Sequence, residues 1–323
     1  MKEKLKKLKD KINSFVENNY SRKVYPAYSK GASTVSDASP RSIEGMIWAV
    51  GMLGNHPRFM GNKVIKAIMQ GYKVQRYIGG GLFHANKLRE PLHKKLELEL
   101  EGYDNAALAQ DIQKVASWYK EAFTRMNEMN APTLRVTETI KCLDENLNKV
   151  IEKIEGKAVK GPTRIRMGRP IRTMTMNMMR IPSAYSPATH EITIASPEIF
   201  PLTQKMAQSR GYSWRHEANL IAYLAHMESG DDRLIASAYK YRISLEMFCL
   251  KTDVDSKMKF LELLNLPDDR SKMGSDLNGS SVAEQMQNTY TNTKIAILDK
   301  INVKPGEQLL AETFMALDKK YSA

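Results

Sequence analysis

The chain has 323 residues, with 49 Lys and Arg against 36 Asp and Glu, a formal net charge of +13. That length buries a sizeable core without staples, and Cys142 and Cys249 are too far apart for a C-x-x-C pair, which argues against a disulfide framework or a zinc cluster. No apolar run reaches the length of a secretory core or a membrane span, so the expectation is a cytoplasmic protein with no membrane insertion.

Residues 2–20 place Leu5, Leu8, Ile12 and Phe15 at three- and four-residue spacing with lysines on the other faces, the pattern of an amphipathic helix. The stretch SRKVYPAYSKGASTVSDASPRS is rich in Ser, Gly, Pro and Ala and reads as a linker, which makes 1–38 an arm. Ser39-Pro40 has the form of an N-cap with proline at the first helical position, opening a helix through Met46, Ile47, Val50 and Leu53. A short helix after Asn62 turns Val64, Ile65, Ile68 and Met69 inward and is expected to break at Gly79-Gly80-Gly81.

Asp104 caps a helix running towards Asn130, with Leu108, Ile112, Val115, Tyr119 and Phe123 at helical intervals, and Pro132 ends it. From Thr133 the stripe Leu134, Val136, Ile140, Leu143, Leu147, Val150 and Ile154 runs to a stop at Gly156. These elements make an N-terminal helical lobe, 39–156.

Residues 157–200 change to arginine, methionine and proline, with Pro162, Pro170, Pro182 and Pro187 keeping the chain extended. A short helix near 174–180 and a β run at 191–194 interrupt an otherwise aperiodic inter-lobe segment. Helices at 213–228, 231–250, 254–266 and 282–301 form a C-terminal lobe, 201–302. Pro305-Gly306 then introduces a terminal arm, 303–323, whose helix carries Leu309, Leu310, Phe314 and Leu317. The expected class is mainly α: two helical lobes, a basic groove between them, and an amphipathic arm at each end. The apolar residues of the two arms, Leu5, Leu8, Ile12, Phe15, Leu309, Leu310, Phe314 and Leu317, are the candidates for oligomerisation.

Catalytic signatures are missing. Gly156-Lys157 lacks the upstream glycine and the following Ser or Thr of a phosphate loop, and the triple glycine lacks the spacing of a dinucleotide fingerprint. His190-Glu191 and His216-Glu217 open like zinc-protease helices without the second histidine four residues on. The expectation is therefore no enzyme, no cofactor and no metal.

The charge is local. From 45 to 89 there is no Asp or Glu, yet Arg58, Lys63, Lys66, Lys73, Arg76, Lys87 and Arg89 are present. From 156 to 190 there is again none, beside Lys157, Lys160, Arg164, Arg166, Arg169, Arg172 and Arg180. The two windows hold 14 of the 49 basic residues, leaving 35 basic against 36 acidic elsewhere, so they account for the whole excess. A dispersed solubility charge would be mixed with carboxylates, whereas a phosphate-binding surface needs this concentration. Arg210 and Arg215 flank Tyr212 and Trp214 at the head of the next helix and repeat the combination. Tyr72, Tyr77, Phe83, Tyr185 and Tyr212 are the candidate base-stacking rings. Arginines without nearby acids are expected to face water or an external anion, since burying them unpaired is costly.

Two helical lobes, a basic crossing and a helical arm at each end resemble the nucleocapsid proteins of segmented negative-strand RNA viruses. Within the bunyavirus-like families, Gly102-Tyr103-Asp104 followed by the helix 105–112 is similar to a short stretch of phlebovirus and tenuivirus nucleocapsids. The resemblance implies single-stranded RNA in the inter-lobe groove, homo-oligomers joined by the terminal arms, a viral polymerase as a further partner, and a place in the virion or ribonucleoprotein. Three other readings share parts of this pattern: the coat protein of a flexuous filamentous RNA virus, a nucleic-acid-processing enzyme with a dispersed site, and a scaffold for an acidic protein.

Overall fold

A computed structural model describes residues 23–39, 42–54, 56, 61–128, 136–157, 159–162, 165–167, 181–195, 198–267 and 306–322, with single positions at 11, 14, 173 and 176. The molecule is mainly α-helical, with one small sheet among the described residues. It divides into two compact units that interleave along the chain. The first is Met1–Glu90, Glu155–Ser196 and Gln204–Trp214, and the second is Pro91–Ile154, Pro197–Thr203 and Arg215–Ala323. The expected N-terminal lobe is therefore not one body, because 91–154 belongs with the C-terminal helices.

In the first unit, α1 (Tyr25–Ala38) occupies the stretch expected to be a linker. Tyr25, Ser29, Ser33 and Ser36 recur at helical spacing and are all buried, so the helix docks through a face of hydroxyls. Tyr25 is 1 % exposed, and its hydroxyl donates to the Ser209 carbonyl at 3.0 Å. Small side chains let the backbones approach, but they carry no hydrophobic period, so the pattern that announces other helices is missing here.

Helix α2 (Ile43–Gly54) starts later than the Ser39-Pro40 pair suggested. Ser42 Oγ accepts from Gly45 N at 3.1 Å and caps it. The buried carboxylate of Glu191 adds a second cap, accepting from the backbone nitrogens of Ile43 and Glu44, both at 2.9 Å, where an anion suits the helix dipole.

Helix α3 (Lys63–Ala85) runs through the triple glycine without breaking, and a 3-10 turn, Asn86–Leu88, follows it. Gly79 explains the continuity. A Cβ there would collide with the Pro187 carbonyl oxygen and lie 2.8 Å from Tyr28 Oη, so glycine permits the close approach of α3 to the turn after β2. Of the residues expected to face inward, Ile65 and Met69 are partly buried near Gly54 and Gly51 of α2, whereas Val64 is 66 % and Ile68 43 % exposed.

The sheet has order β1-β3-β2, with β1 (Arg166–Met167) parallel and β2 (Ser183–Ser186) antiparallel to β3 (Glu191–Ile194), in the register Arg166 opposite Thr193 and Tyr185 opposite Ile192. The β run read at 191–194 is β3, and all four of its residues are buried.

The second unit holds α4 (Leu92–Lys95), α5 (Asn105–Glu128), most of α6 (Val136–Glu155), α8 (Arg215–Glu228), α9 (Asp232–Cys249), α10 (Val254–Leu264) and α11 (Gly306–Ser322). Helix α7 (Ile199–Ser209), with no counterpart in the sequence reading, passes across the boundary between the two chain segments. Asp104 caps α5 as expected, accepting from Ala107 N at 2.7 Å, and Asp231 caps α9 through Arg233 N at 2.9 Å. Leu108, Ile112, Val115 and Tyr119 of α5 pack against Ala236, Ile243 and Met247 of α9.

Helix α11 is not a detached arm. Leu310, Phe314 and Leu317 are 2 %, 0 % and 6 % exposed, and the Phe314 ring lies 4.6 Å from that of Tyr223 within the same unit. Burying a phenylalanine contributes about 2–3 kcal/mol, so this helix is part of its own core. Leu309 is only partly buried. Leu5, Leu8, Ile12 and Phe15, and the helix expected at 282–301, lie outside the described residues, except that Ser14 and Lys11 are helical.

Arg242 is fully buried in this unit and carries three carboxylates: Asp111 at 2.5 Å, Glu246 at 2.6 Å and Asp318 at 2.8 Å. Burial pushes the Glu246 carboxyl up to about 8, against the opposing pull of Arg242 and with the help of Asp111. A carboxyl that keeps its proton leaves one cation facing two anions at neutral pH, with Lys114 3.5 Å from Asp318 as a further cation.

Candidate nucleic-acid interface

Asn62 begins α3 by accepting from Val64 N and Ile65 N at 2.9 and 3.3 Å. From that fixed start, Lys63, Lys66, Gln70, Lys73, Tyr77 and His84 fall at intervals of three, four and seven residues, and all six are exposed. They form one stripe along about 30 Å of helix. Arg76 is exposed beside it, and the helix contains no Asp or Glu. Among the described residues no carboxylate pairs with Lys63, Lys66, Lys73 or Arg76. Tyr77 is 82 % exposed, an amphipathic ring among cations.

The remaining basic candidates separate into different fates. Lys87 is partly buried, with its ammonium 4.8 Å from the centroid of the Trp214 ring. Lys157, Lys160 and Arg215 are exposed, Arg215 in the second unit. Arg58, Arg164, Arg169, Arg172 and Arg180 lie outside the described residues.

Three arginines overturn the expectation that they face water. Arg89 is 8 % exposed, pairs with Glu155 at 3.2 Å and lies over the Tyr212 ring at 4.1 Å. Arg166 is 9 % exposed, pairs with Glu191 at 2.8 Å and donates to the carbonyls of Ser36 and Ser39 at 2.7 and 3.0 Å. Arg210 is 2 % exposed, donates to the Met206 carbonyl at 2.8 Å and fills the space beside Gly161. Glu155 and Glu191 are the residues that bracket the acid-free window of 156–190, and they fold back onto Arg89 and Arg166. Absence of acids inside a window did not mean absence in space.

The rings separate too. Tyr212 is fully buried, its hydroxyl 3.2 Å from Glu155 Oε1, so it is core and not a stacking surface. Phe83 and Tyr185 are partly buried against each other with centroids 5.6 Å apart, and Tyr72 faces an apolar cavity. Tyr77 remains as the exposed ring of the five. Trp214, read in the sequence only as part of the Arg210–Arg215 combination, is 43 % exposed.

The cavity holds about 510 Å³ and is walled by Ala32 and Val35 of α1, Ile43 and Ile47 of α2, and Ile68 and Tyr72 of α3, with no charged residue in its lining. Beside it, Ser29, His190 and Tyr185 imitate a catalytic relay: Ser29 Oγ is 3.1 Å from His190 Nε2, and Tyr185 Oη is 2.7 Å from Nδ1. The hydrogen bonds do not prime Ser29 for attack. Ser29 donates its hydroxyl proton to the Lys160 carbonyl at 2.5 Å, so Nε2 must carry the proton that Ser29 receives, and Nδ1 accepts from Tyr185. Burial, with Arg210 nearby, pushes His190 down to about 3, which keeps the ring neutral as a structural link.

Among the described residues no group of three or more His, Cys, Asp or Glu is placed to hold a metal ion, and no helix is long and apolar enough to cross a membrane. Compared with known proteins, the chain matches no family model, no curated protein and no solved structure.

Proposed function

We propose that this chain binds single-stranded RNA without sequence preference, coats it and self-assembles, as nucleocapsid proteins do. The observation that carries the reading is the stripe on α3, where Lys63, Lys66 and Lys73 stand exposed with no carboxylate partner among the described residues and Tyr77 lies between the lysines and the helix end. Lysines neutralise phosphates whatever the sequence, and a tyrosine face accepts any base. Tyr77 favours nucleic acid over an acidic protein, for which cations alone suffice.

Self-assembly rests on the N-terminal pattern of Leu5, Leu8, Ile12 and Phe15, which lies outside the described residues, because Leu310, Phe314 and Leu317 are committed to their own core. The uncharged cavity in the first unit has the apolar character such a helix from a second copy needs.

Oligouridylate binding to the full chain, measured across a salt series, tests the reading. Changing Lys63, Lys66 and Lys73 together to Ala is expected to flatten the slope of log affinity against log salt by about two units, at about 0.7 per lost contact. An unchanged slope in a folded variant rejects the stripe as the phosphate-binding surface.

A further inference from the structure

Trp214 is a large aromatic side chain held in place yet left 43 % exposed. Its indole Nε1–H donates to the Lys87 carbonyl at 3.2 Å, and the Lys87 ammonium stands 4.8 Å from the ring centroid. The chain on either side is fixed as well. Ser213 Oγ donates to the Phe83 carbonyl, and the buried Tyr212 has Arg89 over its ring and donates its hydroxyl to Glu155. The indole is thus oriented before any ligand arrives, so stacking on it costs little side-chain entropy.

Lys87 follows the end of α3, so the platform lies where the chain leaves the helix that carries the lysine stripe. No Asp or Glu occurs between positions 45 and 89, and no carboxylate pairs with the Lys87 ammonium among the described residues. The ammonium lies over one face of the ring, 4.8 Å from its centroid, so a base has the exposed remainder of the indole to stack on, with the Lys87 charge beside it for a phosphate.

On the RNA-binding reading above, we infer that Trp214 and Lys87 form a nucleotide subsite in which an unpaired base stacks on the indole while Lys87 holds the adjacent phosphate. The subsite selects nucleic acid over other polyanions, because a polymer without bases engages only the lysine.

Two probes of the same length, oligouridylate and linear inorganic polyphosphate, test it with the full-length protein. Both are expected to bind the wild type, and oligouridylate alone to quench tryptophan fluorescence. Trp214→Leu is expected to weaken oligouridylate binding about ten-fold and leave polyphosphate binding unchanged. Trp214→Phe keeps a stacking face and should retain most of the affinity while losing the quench, which also serves if the leucine variant fails to fold. Equal oligouridylate affinity in wild type and Trp214→Leu, or a quench that persists in Trp214→Phe, overturns the subsite while leaving the lysine stripe standing. Failure of the wild type to bind either polymer overturns the RNA reading and the subsite with it.

Discussion

Asp318, on the last helix, grips the buried guanidinium of Arg242 with both carboxylate oxygens, Oδ1 at 3.1 Å and Oδ2 at 2.8 Å. The pair is the polar counterpart of Phe314, whose ring lies 5.2 Å from the same guanidinium. Asp318→Asn is expected to lower stability by about 2 kcal/mol, because the Asp111 carboxylate remains to compensate the charge. Urea unfolding checks the loss, and early proteolytic release of residues 306–322 checks that α11 is what loosens. An unchanged urea midpoint would mean that the apolar face alone holds the helix.

The pH profile of stability should have two limbs. His190, His216 and His226 are pushed by burial down to about 3, about 4 and about 4, so the folded protein refuses protons that the unfolded chain takes up below about 6.5. Stability contributed by these rings is present above that value and is lost as pH falls. Glu246, raised to about 8, runs the other way. The folded state keeps a proton that the unfolded chain releases, so its contribution is complete below about 4.5 and declines as pH rises to about 8. Three histidines outweigh one carboxyl on the acid side, and Glu246 alone shapes the interval from about 6.5 to 8, where stability should fall by about 1 kcal/mol per pH unit. Chemical denaturation at several pH values should show a maximum near neutrality, and Glu246→Gln should level the alkaline limb.

Adjacent glycines should give opposite answers. Gly79→Ala drives a methyl group into the Pro187 carbonyl and should destabilise by about 2–3 kcal/mol. A methyl group added at Gly80 or Gly81 meets nothing within 4 Å, so alanine at either position should stabilise α3 by about 0.5–1 kcal/mol. Thermal unfolding of the three single variants decides it, and a uniform response would remove the close approach as the reason for Gly79.

Arg166 distinguishes a structural arginine from a binding one. Arg166→Ala leaves Glu191 buried without its cation and should cost about 3 kcal/mol, yet leave the salt slope of oligouridylate binding unchanged at a temperature where the variant is folded. A flattened slope would return Arg166 to the interface.

The helices legible in the sequence were those whose buried face is apolar. Leu108, Ile112 and Val115 announce α5, Leu143 and Leu147 announce α6, and Asp104 and Asp231 mark the starts of α5 and α9 as oxygen caps do. Helix α1 was not legible because its buried face is Tyr25 and three serines, and composition that packs by smallness looks the same as composition that stays loose. The length of α3 was hidden for a related reason, since glycine breaks an exposed helix but also permits a crowded one. Of the candidate binding residues, Lys63, Lys66, Lys73 and Tyr77 are exposed, as the acid-free window suggested. Arg89, Arg166 and Arg210 are not, because their partners are distant acids and backbone carbonyls that only the fold brings near.

Lysine spacing on α3 also sets how the free protein responds to electrolyte. Lys63 occupies the first turn, where the peptide dipoles already present their positive end, and Lys63 with Lys66, like Lys73 with Arg76, stands at the three-residue spacing where like charges repel. Each such clash costs a few tenths of a kcal/mol, roughly, and dissolved anions relieve it. Salt therefore firms this helix in the free protein while weakening the polyanion binding we propose, so on that reading one molecule carries two ionic responses of opposite sign, and a bound charged polymer would do for the backbone what concentrated salt otherwise does.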